Sequence, residues 1–492
     1  MKDLKEKAIR GGLAKIGSQG ANLALRVGSL MILARLLDPK DFGLVGMVTA
    51  FTGILNLFRD FGLSTAAVQR QNVTDKQIST LFWINVVVGL SLTLALAGTG
   101  PLIARFYHEP RLLWVCAALS SSFLFNAAGI QHSALLQRQM RFTVLAAIDL
   151  VSLLASIATG IGMALAGFGY WSLVGMTAIV PIVTTLCLWG ATRWIPGAPR
   201  RNVGIRSLMR FGGTITLNGV VVYAAYNLEK VLLGRFWGAE AIGIYGRAYQ
   251  LINIPTDNLN SSVGEVAFSA LSRVQDDAMR LRAYFLKGYS LILGLTLPIT
   301  ILCTLFAREM ILVVLGAKWA AAVPIFRYLS PTILTFAMIN PFAWLLFATG
   351  RVGRSLKIAL VIAPLVIAGY VIGLPYGPKG VAIGYSTAMA LWIVPHIIWC
   401  THGTVVSFQD VVRAVVRPLI SGLTAAVLPL LMQLYYGEAL PMLPMLIAGV
   451  TAFVAVYLVV LLYGMGQKRL YFDLIAGLRG RSAVEDQVLV SA

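Results

Sequence analysis

Charged and amide side chains inside apolar runs are the residues of this chain most able to do chemistry, and four runs carry them in register. The first, about 12–36, holds Lys15, Ser18, Gln19, Asn22, Arg26 and Ser29. Steps of three and four set them on one face of a helix. The second, about 42–63, holds Thr52, Asn56, Arg59 and Asp60. A third, 210–234, holds Tyr223, Tyr226, Asn227 and Lys230. The fourth, 240–268, holds Arg247, Asn253, Asp257, Asn260 and Ser261, with Pro255 expected to kink the helix. Arginine grips oxyanions with paired N–H groups and lysine acts as a point charge. Asn and Tyr suit hydroxyl-rich ligands.

A charge in mid-bilayer costs roughly 2.5–3.5 kcal/mol on insertion scales, so it faces a cavity or a partner. The expectation is one water-filled cavity lined by Arg26, Arg59, Lys230 and Arg247, with Asn22, Asn56, Asn227 and Asp257 beside them. The competing reading is hydrogen bonding between packed helices, which is preferred for the isolated Ser and Thr. Lys15, Arg59, Lys230 and Arg247 could also snorkel to an interface. Asp60, Glu229, Asp257 and Glu265 nearly balance the cations. Glu229 and Lys230 are adjacent, hence about 100° apart on a helix, and need not face the same space. Asp149 and Arg327 are further intramembrane charges with no assignable partner.

The elements that must position these residues follow from composition. Of 492 residues, 58% are hydrophobic and 12% charged, with mean hydropathy +0.80. A soluble protein averages about a quarter charged, so the chain is expected to be an all-α polytopic membrane protein. About 20 apolar residues cross the hydrocarbon core, and fourteen such spans are expected. The remaining ten lie at 80–103, 110–131, 143–167, 171–191, 284–306, 322–348, 355–375, 380–400, 411–434 and 443–465. With the N-terminus inside, the loops and span ends on that side hold 26 of the 40 basic residues and the other side 8. That bias orients the chain with both termini cytoplasmic. The net charge of +20 is then mostly a topology signal, with lipid headgroups as its nearest partners and nucleic acid disfavoured.

One phrase occurs twice. ILARLLDPKDFGLVG (32–46) and LLGRFWGAEAIGIYG (232–246) align without a gap, matching Arg35 to Arg235 and Gly43 to Gly243. Each falls between two spans, six spans apart, as parallel repeats require. The expected organisation is an N-lobe of spans 1–6 (1–190), a linker with an interfacial helix (191–209) and a C-lobe of spans 7–12 (210–402). Spans 13–14 (403–466) and a cytoplasmic tail (467–492) lie outside the repeat. Gly43 and Gly243 are expected to start the returning helix; Gly46 and Gly246 to allow close packing.

Other chemistries find little support. The four cysteines all fall in apolar stretches and make neither metal spacing nor a disulfide framework. No metal or cofactor is expected. No GxxxxGK[ST] run offers ATP binding, and no cleavable signal peptide is read at the N-terminus.

The runs LARLLDPKDFGLVGM, FRDFGLSTAAVQRQ (58–71), STLFWINVVVGL (79–90), GPLIARFYHEP (100–110), QRQMRF (137–142) and GFGYWSLVG (167–175) resemble the polysaccharide flippases of the MOP superfamily. The similarity is to the Wzx-type colanic-acid and exopolysaccharide exporters. It implies a pair of six-helix lobes, here with two extra C-terminal helices, in the bacterial inner membrane. It implies an undecaprenyl-diphosphate-linked glycan as substrate, with polysaccharide polymerase and export machinery as partners. By helix, it points Arg26, Arg59, Lys230 and Arg247 at the diphosphate. Two rivals stand beside it: a multidrug or small-solute exporter of the same fold, using Asp257 or Asp149 for coupling, and a membrane glycosyltransferase, polymerase or ligase. The latter would be expected to carry a large outer loop, and the outer loops here are short.

Overall fold

The computed structural model describes residues 20–59, 74–199, 206–436, 441–468 and 471–472, with side chains at most of these positions. Lys15, Ser18, Gln19 and Asp60 lie outside the described residues, as do the side chains of Asn260, Ser261 and Glu265. Every regular element among the described residues is helical. Nine helical stretches of the described residues are long and apolar enough to cross a bilayer, one of them the 45-residue stretch Lys357–Thr401. The chain is thus an all-α, multi-pass membrane protein.

Sequence sets the helix ends. Thr74 opens Asp75–Tyr107 with a capping box: its hydroxyl accepts from Gln77 N, and Gln77 Oε1 accepts from Thr74 N at 3.0 Å. That helix stops at His108, in the left-handed region at φ 56°. The Asp277 carboxylate caps Ala278–Leu305 by accepting from Met279 N and Arg280 N. Pro331 and Pro341 each begin a short helix and divide the stretch 322–348 into three. Within the linker 191–209, residues 193–199 are non-helical, whereas 206–209 already belong to the helix Arg206–Arg273. The non-helical part folds back, with Gly197 O accepting from Trp83 Nε1 at 2.9 Å and Gly197 N donating to Ser79 Oγ at 3.0 Å.

The chain divides into two compact units, 1–246 with 314–319, and 247–313 with 320–492. In the first, Asp75–Tyr107 packs on Leu112–Arg138, which packs in turn on Trp171–Thr192. Small residues allow this: a Cβ on Gly89 would lie 2.4 Å from Ala127 Cβ and 2.9 Å from Phe123 O. Hydroxyls cross between helices, from Thr93 to Ser120 O (3.0 Å), Ser156 to Met176 O (2.8 Å) and Thr185 to Phe125 O (2.7 Å). These are the interhelical bonds expected of isolated Ser and Thr in hydrocarbon.

The first unit also holds both copies of the repeated phrase. The first copy turns at Asp38, between helix 20–36 and Pro39–Leu57. The second turns at Gly238, which breaks the long helix Arg206–Arg273 at φ 81°, ψ −174°. Gly43 and Gly243 therefore do not start the returning helices; they sit a turn inside them. There they bring the two copies together. A Cβ on Gly43 would overlap the carbonyl of Ala239, and one on Gly243 would overlap the carbonyl of Pro39. Gly46 is also close-packed, since a Cβ there would lie 2.7 Å from Ile242 Cγ2, whereas a Cβ on Gly246 would meet open space.

In the second unit, Phe408–Tyr436 and Met442–Val459 pack on Ala278–Leu305. Phe306, Ala425 and Phe453 are fully buried at their junction. Tyr457 OH donates to Gly294 O (2.8 Å) and Gln433 to Leu305 O (3.1 Å). Arg282 grips Asp410 with two bonds of 2.9 and 2.6 Å.

Candidate functional site

A polar pocket of about 280 Å³ opens within the first unit. Its walls come from the end of Pro39–Leu57, from Leu112–Arg138 and from Trp171–Thr192. Asn126, Ser133 and Gln137 follow one another at steps of seven and four, so helix geometry alone puts them on one face. Gly129 lets Trp171–Thr192 approach that face, since a Cβ there would lie 2.8 Å from Thr185 Oγ1.

Arg59 supplies the pocket's charge. It follows the last turn of Pro39–Leu57, where its N–H donates to Asn56 O at 3.2 Å. Its Nε is buried and has no hydrogen-bond partner among the described residues. The Thr185 hydroxyl is engaged by Phe125 O, and the Thr184 hydroxyl donates to Ser152 Oγ at 2.8 Å. Gln137 Nε2 lies 3.4 Å from Ser133 Oγ, a long bond. The groups left to meet a ligand are thus one guanidinium and a set of amides and hydroxyls. Such a set accepts an oxyanion beside a hydroxyl-rich body.

The other sequence-selected residues are placed as follows. Arg26 is exposed on helix 20–36 and lies within electrostatic reach of Asp149 on Phe142–Leu165. The two charges attract across the helices, a relation that the sequence alone could not assign. Asn22 is half-buried and Asn56 exposed. On Arg206–Arg273, Lys230 Nζ donates to Asn227 Oδ1 (2.6 Å), and Asn227 Nδ2 donates to Tyr223 O (3.0 Å). Tyr223 OH reaches across to Thr49 O (3.3 Å), which ties this stripe to the helix bearing Asn56. Glu229 points elsewhere: it is 1% exposed, and neither carboxylate oxygen has a hydrogen-bond partner among the described residues. Arg235 donates toward His108 Nδ1 (3.2 Å) and lies over the Phe106 ring, while Arg35 borders Gly316.

Arg247 and Asp257 belong to the second unit. Arg247 donates to Gln250 Oε1, and Asp257 is exposed. His132 is a core residue, buried against Trp189 at 4.7 Å with Nδ1 bonded to Thr192 Oγ1 at 2.7 Å. Sequence reasoning missed Asn126, Ser133 and Gln137. Their signal was a shared helical face, one polar residue at a time inside an otherwise apolar span.

The sequence profile described as polysaccharide biosynthesis protein matches residues 32–324. The lipopolysaccharide biosynthesis protein WzxC of Escherichia coli is 28% identical over 390 residues, 78% of either chain. The teichuronic acid biosynthesis protein TuaB of Bacillus subtilis is 31% identical over 305 residues, 59% of this chain and 61% of TuaB. Among solved structures, the lipid II flippase MurJ in an inward closed conformation superposes with TM-score 0.75 at 14% identity, covering 93% of this chain and 98% of MurJ. An inward-facing multidrug-resistance MATE transporter of the MOP superfamily gives 0.62 at 12% identity, covering 80% and 95%. The fold is therefore the one shared by MurJ and this MATE transporter, and the sequence match over more than half the chain makes this protein a member of the polysaccharide biosynthesis protein family.

Proposed function

We propose that this protein is a flippase, carrying a polyprenyl-diphosphate-linked oligosaccharide across the bacterial inner membrane for exopolysaccharide or lipopolysaccharide synthesis. The observation that carries this reading is Arg59: a guanidinium whose buried Nε has no hydrogen-bond partner among the described residues, on the wall of a polar pocket inside apolar helices. A cation so placed, with a donor to spare among the described residues, suits an oxyanion. A sugar diphosphate cannot cross ~30 Å of hydrocarbon unaided, whereas a polar path can accept it while the prenyl tail stays in lipid. Family membership and the likeness to WzxC support the same substrate class. In this reading both termini are cytoplasmic, the lobes are 1–190 and 210–402, and alternating access moves the head group. Arg26 and Lys230 assist Arg59, and Arg247 is a further candidate contact for the diphosphate. Without a nucleotide-binding motif, an ion gradient, the membrane potential or product removal drives the cycle. A polymerase on the far side is the partner that consumes the product.

The test is reconstitution into liposomes with a fluorescent undecaprenyl-diphosphate oligosaccharide and a quencher confined to one side. Wild-type protein should move the lipid, and Arg59→Ala should slow it about 10–100-fold, the effect of losing a charged hydrogen bond of about 1.5–3 kcal/mol. Arg59→Lys should fall between. Export of cationic dyes with no lipid movement would replace this reading with that of a multidrug exporter. Arg26→Ala should also impair movement. If Arg26→Ala combined with Asp149→Ala restores it, Arg26 serves as half of a charge pair and not as a phosphate ligand.

A further inference from the structure

The second unit carries a groove that the transport reading does not use. It has a volume of about 690 Å³ and runs between Val352–Gly373 and Gly377–Thr401. Glycines hold these helices at backbone contact: a Cβ on Gly373 would overlap Gly380 O, and one on Gly384 would overlap Gly369 O. Where these glycines meet, the groove floor is backbone, and its rim is Leu365, Ile372, Ile383 and Leu391. Ile372 is 71% exposed and Leu391 65%. Ligand pockets generally span about 300–1,000 Å³, so the groove is of a size to hold a hydrocarbon chain.

Its chemistry is graded along its length. Among the described residues Lys379 is the only charged one lining it; it stands beside the Leu374–Tyr376 turn, with exposed Tyr376 close by. Lys379 Nζ lies 5.7 Å from the Tyr328 ring centroid and forms no ion pair with a described carboxylate. An apolar trough ending in one cation and one phenol matches an acyl chain ending in one phosphodiester. Tyrosine and lysine at a span's end are also the usual interfacial anchors.

We propose that this groove binds an anionic phospholipid of the surrounding bilayer, one acyl chain along the glycine floor and the phosphate at Lys379. Charge decides the occupant. A single cation complements the single negative charge of a phosphodiester, whereas a diphosphate would leave charge unmatched at this end.

The full-length protein, purified in mild detergent, is examined by native mass spectrometry with phosphatidylglycerol, phosphatidylcholine or undecaprenyl diphosphate in equal amounts. Phosphatidylglycerol should be retained about fivefold better than phosphatidylcholine, the effect of roughly 1 kcal/mol from one lysine near a lipid surface. Lys379→Gln should abolish that preference. Ala368→Phe, at an exposed position on the groove wall, should reduce retention of both phospholipids by filling the trough. The melting temperature of each variant without added lipid serves as the folding control. Equal retention of the two phospholipids by wild type, an unchanged preference in Lys379→Gln, or stronger retention of undecaprenyl diphosphate would each overturn the proposal. The outcome is independent of the flipping assay, since a protein that moves no oligosaccharide could still retain the phospholipid.

Discussion

The two copies of the repeated phrase make the same backbone contact by different local means. Both turn at one register position, Asp38 in the first and Gly238 in the second. Asp38 keeps an ordinary extended conformation, φ −94° and ψ 156°, and its N–H donates to Asp41 Oδ2 at 3.1 Å. Gly238 uses φ 81° with ψ −174°, a region essentially closed to other residues. Their supports differ too. The first copy is plugged by Ala317–Trp319: Trp319 is fully buried, meets Phe42 edge-on at 5.3 Å and donates to Ala34 O at 2.8 Å. Lys318 pairs with Asp38 at 2.8 Å. The second copy rests instead on the end of Asp75–Tyr107, where a Cβ on Gly234 would lie 2.5 Å from Tyr107 Cε1. Backbone fit has been held while side-chain supports diverged, so the copies should respond alike to changes at the fit and differently to changes at the supports.

The largest expected effect breaks one support. Trp319→Ala removes the plug under the first copy and should cost about 3–5 kcal/mol, as deletion of a large buried aromatic does. It should be read as a fall in the melting temperature of detergent-solubilised protein, with Trp319→Phe recovering part of it. Next comes the fit itself. Gly43→Ala and Gly243→Ala should each cost about 1–3 kcal/mol, because each methyl meets a carbonyl that can move only with its helix. Similar losses at the two positions would sharpen the pseudo-symmetry; a tolerated change at either would break it. The turns come third. Gly238→Ala should cost roughly 1–3 kcal/mol in strain, while Asp38→Ala should cost about 1 kcal/mol or less, from a cap residue and an exposed ion pair. Smallest of all, Gly246→Ala should be neutral, with open space where its Cβ would lie, while Gly46→Ala must push Ile242 aside, because its Cβ would lie 2.7 Å from Ile242 Cγ2. A melting temperature lowered more by Gly246→Ala than by Gly46→Ala would contradict this packing.

Hydropathy, the repeat and the family-like runs made the fold class legible, because crossing a bilayer constrains long windows of sequence. Periodicity also found the Tyr223–Asn227–Lys230 stripe, whose members are one helical turn apart. It could not find the Asp149 that neighbours Arg26, about 120 residues away in the chain, because periodicity reports a residue's face and not what lies opposite it. The same limit hid the pocket around Arg59, where the cation and the Asn126–Ser133–Gln137 face come from separate helices. The turn glycines were misassigned for a related reason: Gly43 and Gly243 answer to a neighbour 200 residues away, and a glycine required by close approach looks in sequence like one required by a turn. Nothing in the pattern of 314–319 marks it as a plug, since its role depends on the hollow that Trp319 fills.

The contact at Gly43 and Gly243 has one more property. Position 43 meets 239 and position 243 meets 39, so subtracting 200 from the second copy turns each contact into the other. That is the form of an isologous interface, in which one surface patch recognises a copy of itself across a twofold axis. A half-length ancestor bearing a single phrase could have met its twin through the same glycine-on-carbonyl fit. Fusion of the two halves would then have freed each to acquire its own supports, which are Trp319 beneath one copy and Tyr107 beneath the other.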